Sequence, residues 1–326
     1  MHIPDGFLDT KTALAAGTLA AAGLGTALRH ARRHLPPRKI PLVGLTAAFI
    51  FVAQMLNFPV AGGTSGHLIG ATLSVVLLGP GVSVIVMSSV LIIQALLFAD
   101  GGLVALGANI LNMAVVAPVC SYTVYRLMRR MLPDNRGLLV CASVAAWCST
   151  VLAALFCAGE LAWSGTASGS VVFPAMAGLH AVIGIGEGLI TMLVLAAFAK
   201  SRPELLGDRA SDPAAVGTRS LVVYGIVVIL GLLFLVLPFA SKFPDGLERV
   251  AQSIGFEQKK IENTEFLPPL RDYRFFGLES GMISAAAAGL FGAAVVFGVS
   301  FVLARVLLPA RNSPAGSGTS GSEEGN

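Results

Sequence analysis

Apolar runs recur along most of this chain, and short polar stretches separate them. A membrane-spanning helix needs about 20 apolar residues. Segments 11–28, 40–57, 67–79, 82–99, 104–125, 137–162, 171–199, 220–240 and 281–308 meet or approach that length. The pattern predicts an all-α polytopic membrane protein of about nine transmembrane helices. The third segment is short and ends at Gly79-Pro80-Gly81. That predicts a tilted or broken helix, tolerated at membrane depth only where protein or a cavity surrounds it.

Lys and Arg set the expected orientation, because short cytoplasmic loops carry the excess. Arg29, Arg32, Arg33, Arg38 and Lys39 follow the first segment; Arg126, Arg129, Arg130 and Arg136 follow the fifth; Lys200, Arg202, Arg209 and Arg219 follow the seventh. The intervening loops 58–66, 100–103 and 163–170 hold no Lys or Arg. This alternation places the N-terminus outside and the C-terminus inside, with His2, His67 and Asp100 near the outer face. Residues 241–280 break the apolar pattern with charges of both signs and lie between the last two helices, so they read as a small external module. The chain divides into a membrane domain, residues 1–200; a cytoplasmic linker, 201–219; a second unit, 220–310, with two helices and the module 241–280; and a Gly/Ser/Glu-rich tail, 311–326, expected to be disordered.

Composition agrees with a lipid environment. Hydrophobic residues make up 55% of the chain and charged ones 12%, against roughly 25% charge in soluble domains. No basic patch interleaved with aromatics is present, so nucleic-acid binding is not indicated. The four cysteines, Cys120, Cys141, Cys148 and Cys157, sit inside apolar runs without metal-ligand spacing and read as small helix residues. The start, MHIPDGF, lacks the basic region and cleavage site of a signal peptide. The bulky His2 disfavours removal of the initiator, so Met1 is expected to be the mature terminus.

Of the five histidines, His30 and His34 fall in a basic cytoplasmic stretch and read as solvated. His2 and His67 carry the chemistry. The α-amine of Met1, the amide nitrogen of His2 and its imidazole can chelate one ion, and His67 adds another nitrogen. A planar all-nitrogen set suits Ni(II) or Cu(II) better than Zn(II), which prefers a tetrahedron. The alternative is an accidental N-terminal histidine with His67 capping a helix. His67 lies in the glycine-rich run AGGTSGHLIG; Thr64 and Ser65 of that run join the candidate supporting residues. Asn109 and Asn112, three apart on one helix face, either hold the N-terminal segment, orient a ligand histidine, or simply bond between helices. His180 and Glu187 share a face of one apolar helix. An intramembrane carboxylate there reads as a second metal station, a contact with a partner subunit, or a buried structural pair.

The chain contains no P-loop, so ATP hydrolysis is not expected of it, and no HExxH or GxSxG of the common membrane hydrolases. A membrane enzyme using His180 and Glu187 stays as a distant alternative.

Four stretches, MHIPDGFLD, FIFVAQMLNFPVAGGTSGHLIGATLSVVLLGP, LIIQALLFADGGLVALGANILNM and HAVIGIGEGLIT, resemble the CbiM/NikM substrate-binding components of energy-coupling factor (ECF) transporters. FPDGLERVAQSIGF with DYRFFGLES resembles the PDGLE module of the CbiN/NikN subunits, and together they resemble a NikMN-type fusion. The resemblance implies an ABC-type importer component in the cell inner (plasma) membrane that takes Ni2+, or alternatively Co2+ for cobalamin biosynthesis, from outside. It also implies a transmembrane coupling subunit (T) and cytoplasmic ATPase subunits (A) as partners. The ligands it implies match Met1, His2 and His67. The external module has no His and no Cys, so it is expected to dock over the outer mouth and serve loading or coupling.

Overall fold

The computed structural model describes residues 1–206, 218–261, 267–275, 277–278 and 280–307. The chain is a bundle of α1 (Thr10–His34), α2 (Ile40–Met55), α3 (Ala71–Leu78), α4 (Pro80–Ile93), α5 (Leu106–Asn109), α6 (Ala117–Met131), α7 (Asn135–Trp163), α8 (Gly169–Ser201), α9 (Thr218–Gly231), α10 (Gly246–Ile254) and α11 (Gly281–Leu307). Three π-helical segments interrupt the ladders. Gln94–Phe98 continues α4, Ile110–Val116 joins α5 to α6, and Leu232–Val236 continues α9. A two-stranded hairpin, β1 (Phe58–Val60) against β2 (Thr64–Gly66), leads from α2 toward α3.

Seven stretches among the described residues are long and apolar enough to cross a membrane: Pro37–Met55, Pro80–Phe98, Leu106–Met131, Arg136–Trp163, Gly169–Ser201, Arg219–Phe239 and Gly281–Leu307. Two of the nine expected passages are not among these seven. The α1 helix has 25 residues, about 37 Å at 1.5 Å per residue, yet it is too polar to qualify. Its last turn contains Arg32, Arg33 and His34, so the basic stretch read as a loop is partly helix. The third expected span has only eight helical residues, α3, about 12 Å. The rest of that passage, 67–70, is non-helical, with Gly70 left-handed at φ 80°, and is packed inside the protein, where irregular backbone is tolerated. The cytoplasmic linker is described only at its edges, and the expected disordered tail lies outside the described residues.

Local chemistry explains the packing. Asp9 caps α1 by accepting from the Thr12 amide at 3.0 Å. Ala13, Ala16, Ala20, Ala27 and Ala31 form its buried stripe, small enough for close helix approach. At the crossing of α1 with α5, a Cβ on Gly107 would lie 2.5 Å from the Gly17 Cα, so only glycine fits. By contrast α9 and its π-helical continuation, Leu232–Val236, are apolar and largely uncovered, with Val223, Ile226, Val227, Phe234 and Leu235 exposed. That surface suits lipid tails.

Hydrogen bonds sort the connections to two ends. At one end Ser241 N–H donates to Asn57 O (2.7 Å), Ser65 N–H to Pro244 O (2.8 Å) and Ile261 N–H to Asp5 O (2.9 Å). The segment after α9 thus lies over both the N-terminus and the hairpin. At the other end Lys39 Nζ donates to Leu77 O (3.1 Å), and Arg202 bonds Ser220 Oγ (2.5 Å).

Candidate metal centre

The N-terminal segment is buried, which is unusual for a chain end. Ile3 is fully buried and Phe7 nearly so. Asn109 clasps Ile3 from both sides, accepting from its N–H at 2.8 Å and donating to its C=O at 3.0 Å. Asp5 takes amide protons from Leu103 (3.1 Å), Val104 (2.8 Å) and Ala105 (3.3 Å), just ahead of α5, where a carboxylate meets the positive end of the helix dipole. The Phe7 ring meets Phe256 edge-on at 5.1 Å.

This anchoring delivers Met1 and His2 to His67. The Met1 amine hydrogen-bonds His67 Nε2. His67 Nδ1–H donates to Leu68 O at 3.2 Å, so Nε2 is the nitrogen with a lone pair. The His2 and His67 rings stand edge to face with centroids 5.1 Å apart. Burial, reinforced by the charge of the amine, lowers His67 to about 3, so its ring is neutral and fit to ligate. His2 Nδ1 meets Asp100 Oδ1 at 2.5 Å; His2 Nε2 is buried with no hydrogen-bond partner among the described residues. Among the described residues no cluster of three or more His, Cys, Asp or Glu side chains forms a conventional cage. The donors instead are two imidazoles and the chain terminus. The cysteines are unpaired thiols.

The loop carrying His67 is held from below by Glu187. Its two carboxylate oxygens accept from Ile69 N–H (2.6 Å) and Gly70 N–H (2.9 Å), and Gln54 donates to Ile69 O at 2.8 Å. The unseen partners of this intramembrane carboxylate are thus backbone amides. Replacing it orphans two buried donors, each costing about 1–3 kcal/mol. Glu187→Ala should therefore lower stability by about 2 kcal/mol or more and weaken metal binding by releasing the loop, while Glu187→Gln, which keeps one acceptor, loses less. Thermal unfolding in detergent checks this; an unchanged midpoint for Glu187→Ala would contradict it.

His180 does not meet Glu187 in a hydrogen bond among the described residues. Its Nδ1–H donates to Met176 O at 2.9 Å, and the ring lies beneath Gly246, where a Cβ would stand 2.8 Å from Nε2. Thr64 and Ser65 also face the module: Thr64 Oγ1 donates to Pro244 O (3.1 Å) and Ser65 Oγ to Phe243 O (2.7 Å). Asn112 donates to Glu160 Oε2 at 2.6 Å, a buried acid that the apolar pattern of α7 had concealed.

The PDGLE stretch, Pro244–Glu248, has a local logic. Asp245 caps α10 by accepting from Glu248 N–H at 2.8 Å, and the Glu248 carboxylate accepts the Asp245 N–H at 3.2 Å, a capping box. Gly246 leaves room for His180, and Leu247 is fully buried. The second Asp245 oxygen, Oδ2, pairs with the Met1 amine at 2.9 Å. Burial alone would raise the Asp245 carboxyl, but the Met1 ammonium and His67 hold it well below the usual carboxylate range. Asp100 behaves alike: burial pushes it up, and His2 outweighs that, aided by a hydrogen bond from Tyr273. Neither Asp245 nor Tyr273 stands out as a site residue in the sequence. The signal available for Asp245 was the Asp-x-x-Glu spacing before a buried apolar run.

The chain is a multi-helix membrane bundle whose terminus is buried against two histidines, and comparison with known proteins places it in a metal-transport class. Residues 2–205 match the CbiM family, the cobalt uptake substrate-specific transmembrane region, and residues 219–308 match the PDGLE domain. This chain belongs to the CbiM family, joined to a PDGLE domain. A putative fused nickel transport protein NikMN of Archaeoglobus fulgidus is 37% identical over 94% of this chain and 98% of its own length. A cobalt transport protein CbiM of Geobacter sulfurreducens is 32% identical over 89% of this chain and 88% of its own. A crystal structure of a truncated transition metal transporter superposes with a TM-score of 0.55 at 37% identity, covering 61% of this chain and 99% of that one. The chain is a multi-pass membrane component of nickel or cobalt transport, and not an enzyme.

Proposed function

We propose that this chain is the metal-specific component of an ECF-type importer whose cargo is Ni2+, held by the Met1 amine, the main chain and imidazole of His2, and His67. The observation that carries the reading is the Met1 amine set against His67 Nε2 with the His2 ring edge-on beside them. Closure of a chelate through the His2 amide and Nδ1 passes the Asp100 contact from Nδ1 to Nε2. The carboxylates that now face the ligands, Asp100 and Asp245, offset the cation's charge as it arrives. A ligating amine must be unprotonated, so binding releases protons and weakens as pH falls.

In this reading residues 1–200 bind the metal, 220–310 form the second unit, and the site lies at the outer face, with the N-terminus outside and the C-terminus inside the plasma membrane. Nickel is favoured because the Archaeoglobus relative, matched at 37% identity over 98% of its length, bears a nickel name. Cobalt is the second reading, supported by the Geobacter relative. Competition between Ni2+ and Co2+ for the purified chain separates them: preference for Co2+ would reverse the assignment.

Transport against a gradient requires energy, and this chain has no P-loop. The energy comes from a T subunit and A subunits. The purified chain should bind metal yet hydrolyse no ATP, and ATPase activity should emerge only on reconstitution with such partners. Turnover of ATP in a preparation shown to contain this chain alone would contradict the assignment.

A further inference from the structure

Tyr273 belongs to the second unit, far in sequence from every proposed ligand, and its backbone is in a conformation that side-chain-bearing residues avoid. Asp272 and Tyr273 have φ of 54° and 56°, in the left-handed region. Two such residues in succession persist only where surroundings over-determine them, and such outliers gather at functional sites. Here the surroundings are explicit. The Tyr273 ring stacks on Phe98 with centroids 4.8 Å apart and planes 24° from parallel, and Phe51 lies 6.1 Å away. Leu270 N–H donates to Leu97 O at 2.9 Å, tying the segment to the end of the π-helical turn after α4. The Tyr273 hydroxyl donates to Asp100 Oδ2 at 2.6 Å, and Gln94 Nε2 reaches that hydroxyl at 3.4 Å. The other Asp100 oxygen contacts His2.

The result is a continuous chain, Tyr273–Asp100–His2, running from the second unit to a ligand histidine. Asp100 meets the ring at Nδ1; when Nδ1 closes the chelate the contact passes to Nε2, and a carboxylate on the nitrogen turned away from the metal fixes how the ring is turned. A carboxylate with a free oxygen could itself rotate; the Tyr273 hydroxyl removes that freedom. We propose that Tyr273 is a positioning residue for the metal site: through Asp100 it sets the orientation of the His2 ring, so that the second unit governs the metal affinity of the first. Linkage makes the effect reciprocal, because a contact that tightens metal binding is itself tightened by metal. Bound metal therefore holds the 270–275 segment more firmly.

The proposal rests on the metal site at Met1, His2 and His67, and the test separates the two. Full-length wild type, Tyr273→Phe, Asp100→Asn and His67→Ala are compared by Ni2+ titration calorimetry, the visible absorption band of bound Ni(II), and thermal unfolding. Tyr273→Phe keeps the ring on Phe98 and removes only the hydroxyl. It is expected to fold normally, bind Ni2+ roughly 10-fold more weakly and shift the band; Asp100→Asn should lose more. Hydrogen exchange at 270–275 should slow on Ni2+ addition in wild type and less so in Tyr273→Phe. If Tyr273→Phe matches wild type in affinity and band while His67→Ala has lost binding, the positioning role is wrong and the metal site stands. If its affinity falls only in step with its unfolding temperature, with the band unchanged, Tyr273 is a structural prop and the proposal fails. Wild-type binding by His67→Ala would instead remove the site on which the proposal rests.

Discussion

His67→Ala should abolish tight Ni2+ binding, lowering affinity at least roughly a hundredfold, about 2.7 kcal/mol. The expectation follows from how little else can take its place. The amine of Met1 touches His67 Nε2 directly, the next imidazole, His2, already belongs to the donor set, and the cysteines stand in α6 and α7. Oxygen donors do lie close, in Asp245 and Asp100, but carboxylates suit harder ions than Ni(II) with an all-nitrogen preference. His2→Ala should be as severe, because it removes the imidazole while leaving the main chain. Loss of either ring leaves the helices unaltered, so both variants should keep their thermal midpoints to within a few degrees. Titration calorimetry in detergent measures the loss, and near-wild-type affinity in either variant would displace the site.

The second large effect needs no change of side chain. A residue added before Met1 should destroy binding, since it moves the α-amine away and converts the nitrogen at Met1 to an amide. The pocket cannot absorb the addition: Met1 is 5% exposed and Ile3 fully buried, and the amine is pinned between His67 and Asp245. The extension would also break the ion pair that seats α10 of the second unit on the N-terminus. A tag after Asn326 should leave binding unchanged, because that Gly/Ser/Glu-rich end is remote in sequence from every donor. Metal content of the two tagged forms, measured by elemental analysis, checks the contrast. Equal content would remove the amine from the donor set.

Much of the bundle is legible in apolar run length, because that signal needs nothing from tertiary structure. It misleads where length and polarity part company. The third run was apolar enough for a helix, but only Ala71–Leu78 is helical; before it, the Ile69 and Gly70 amides are taken by Glu187 instead of by a helical ladder. In α1 the helix extends past the apolar run 11–28 into the basic stretch that follows, ending at His34.

The ligand candidates were legible for a different reason. A histidine second in the chain and another in a glycine-rich run are rare, and their chemistry does not depend on the rest of the fold. What surrounds them was partly hidden by sequence distance. Asn109 was read as one candidate to hold the N-terminal segment, and it does so across 106 positions, but nothing pointed to Tyr273, which reaches Asp100 across 173. The external module was judged by its lack of soft or imidazole donors, which predicted its docking place but not its means. It touches the site through a helix-capping aspartate that gives one oxygen to its own helix and the other to Met1, and through one tyrosine hydroxyl on Asp100.

X-ray absorption spectroscopy at the Ni edge of the chain with an unmodified N-terminus tests the central claim most directly, because it reads the donor atoms themselves. The account predicts one ion per chain in a planar environment of nitrogen donors, with imidazole scattering and no sulfur. An octahedral shell dominated by oxygen, or any Ni–S distance, would contradict a site built from the Met1 amine, His2 and His67.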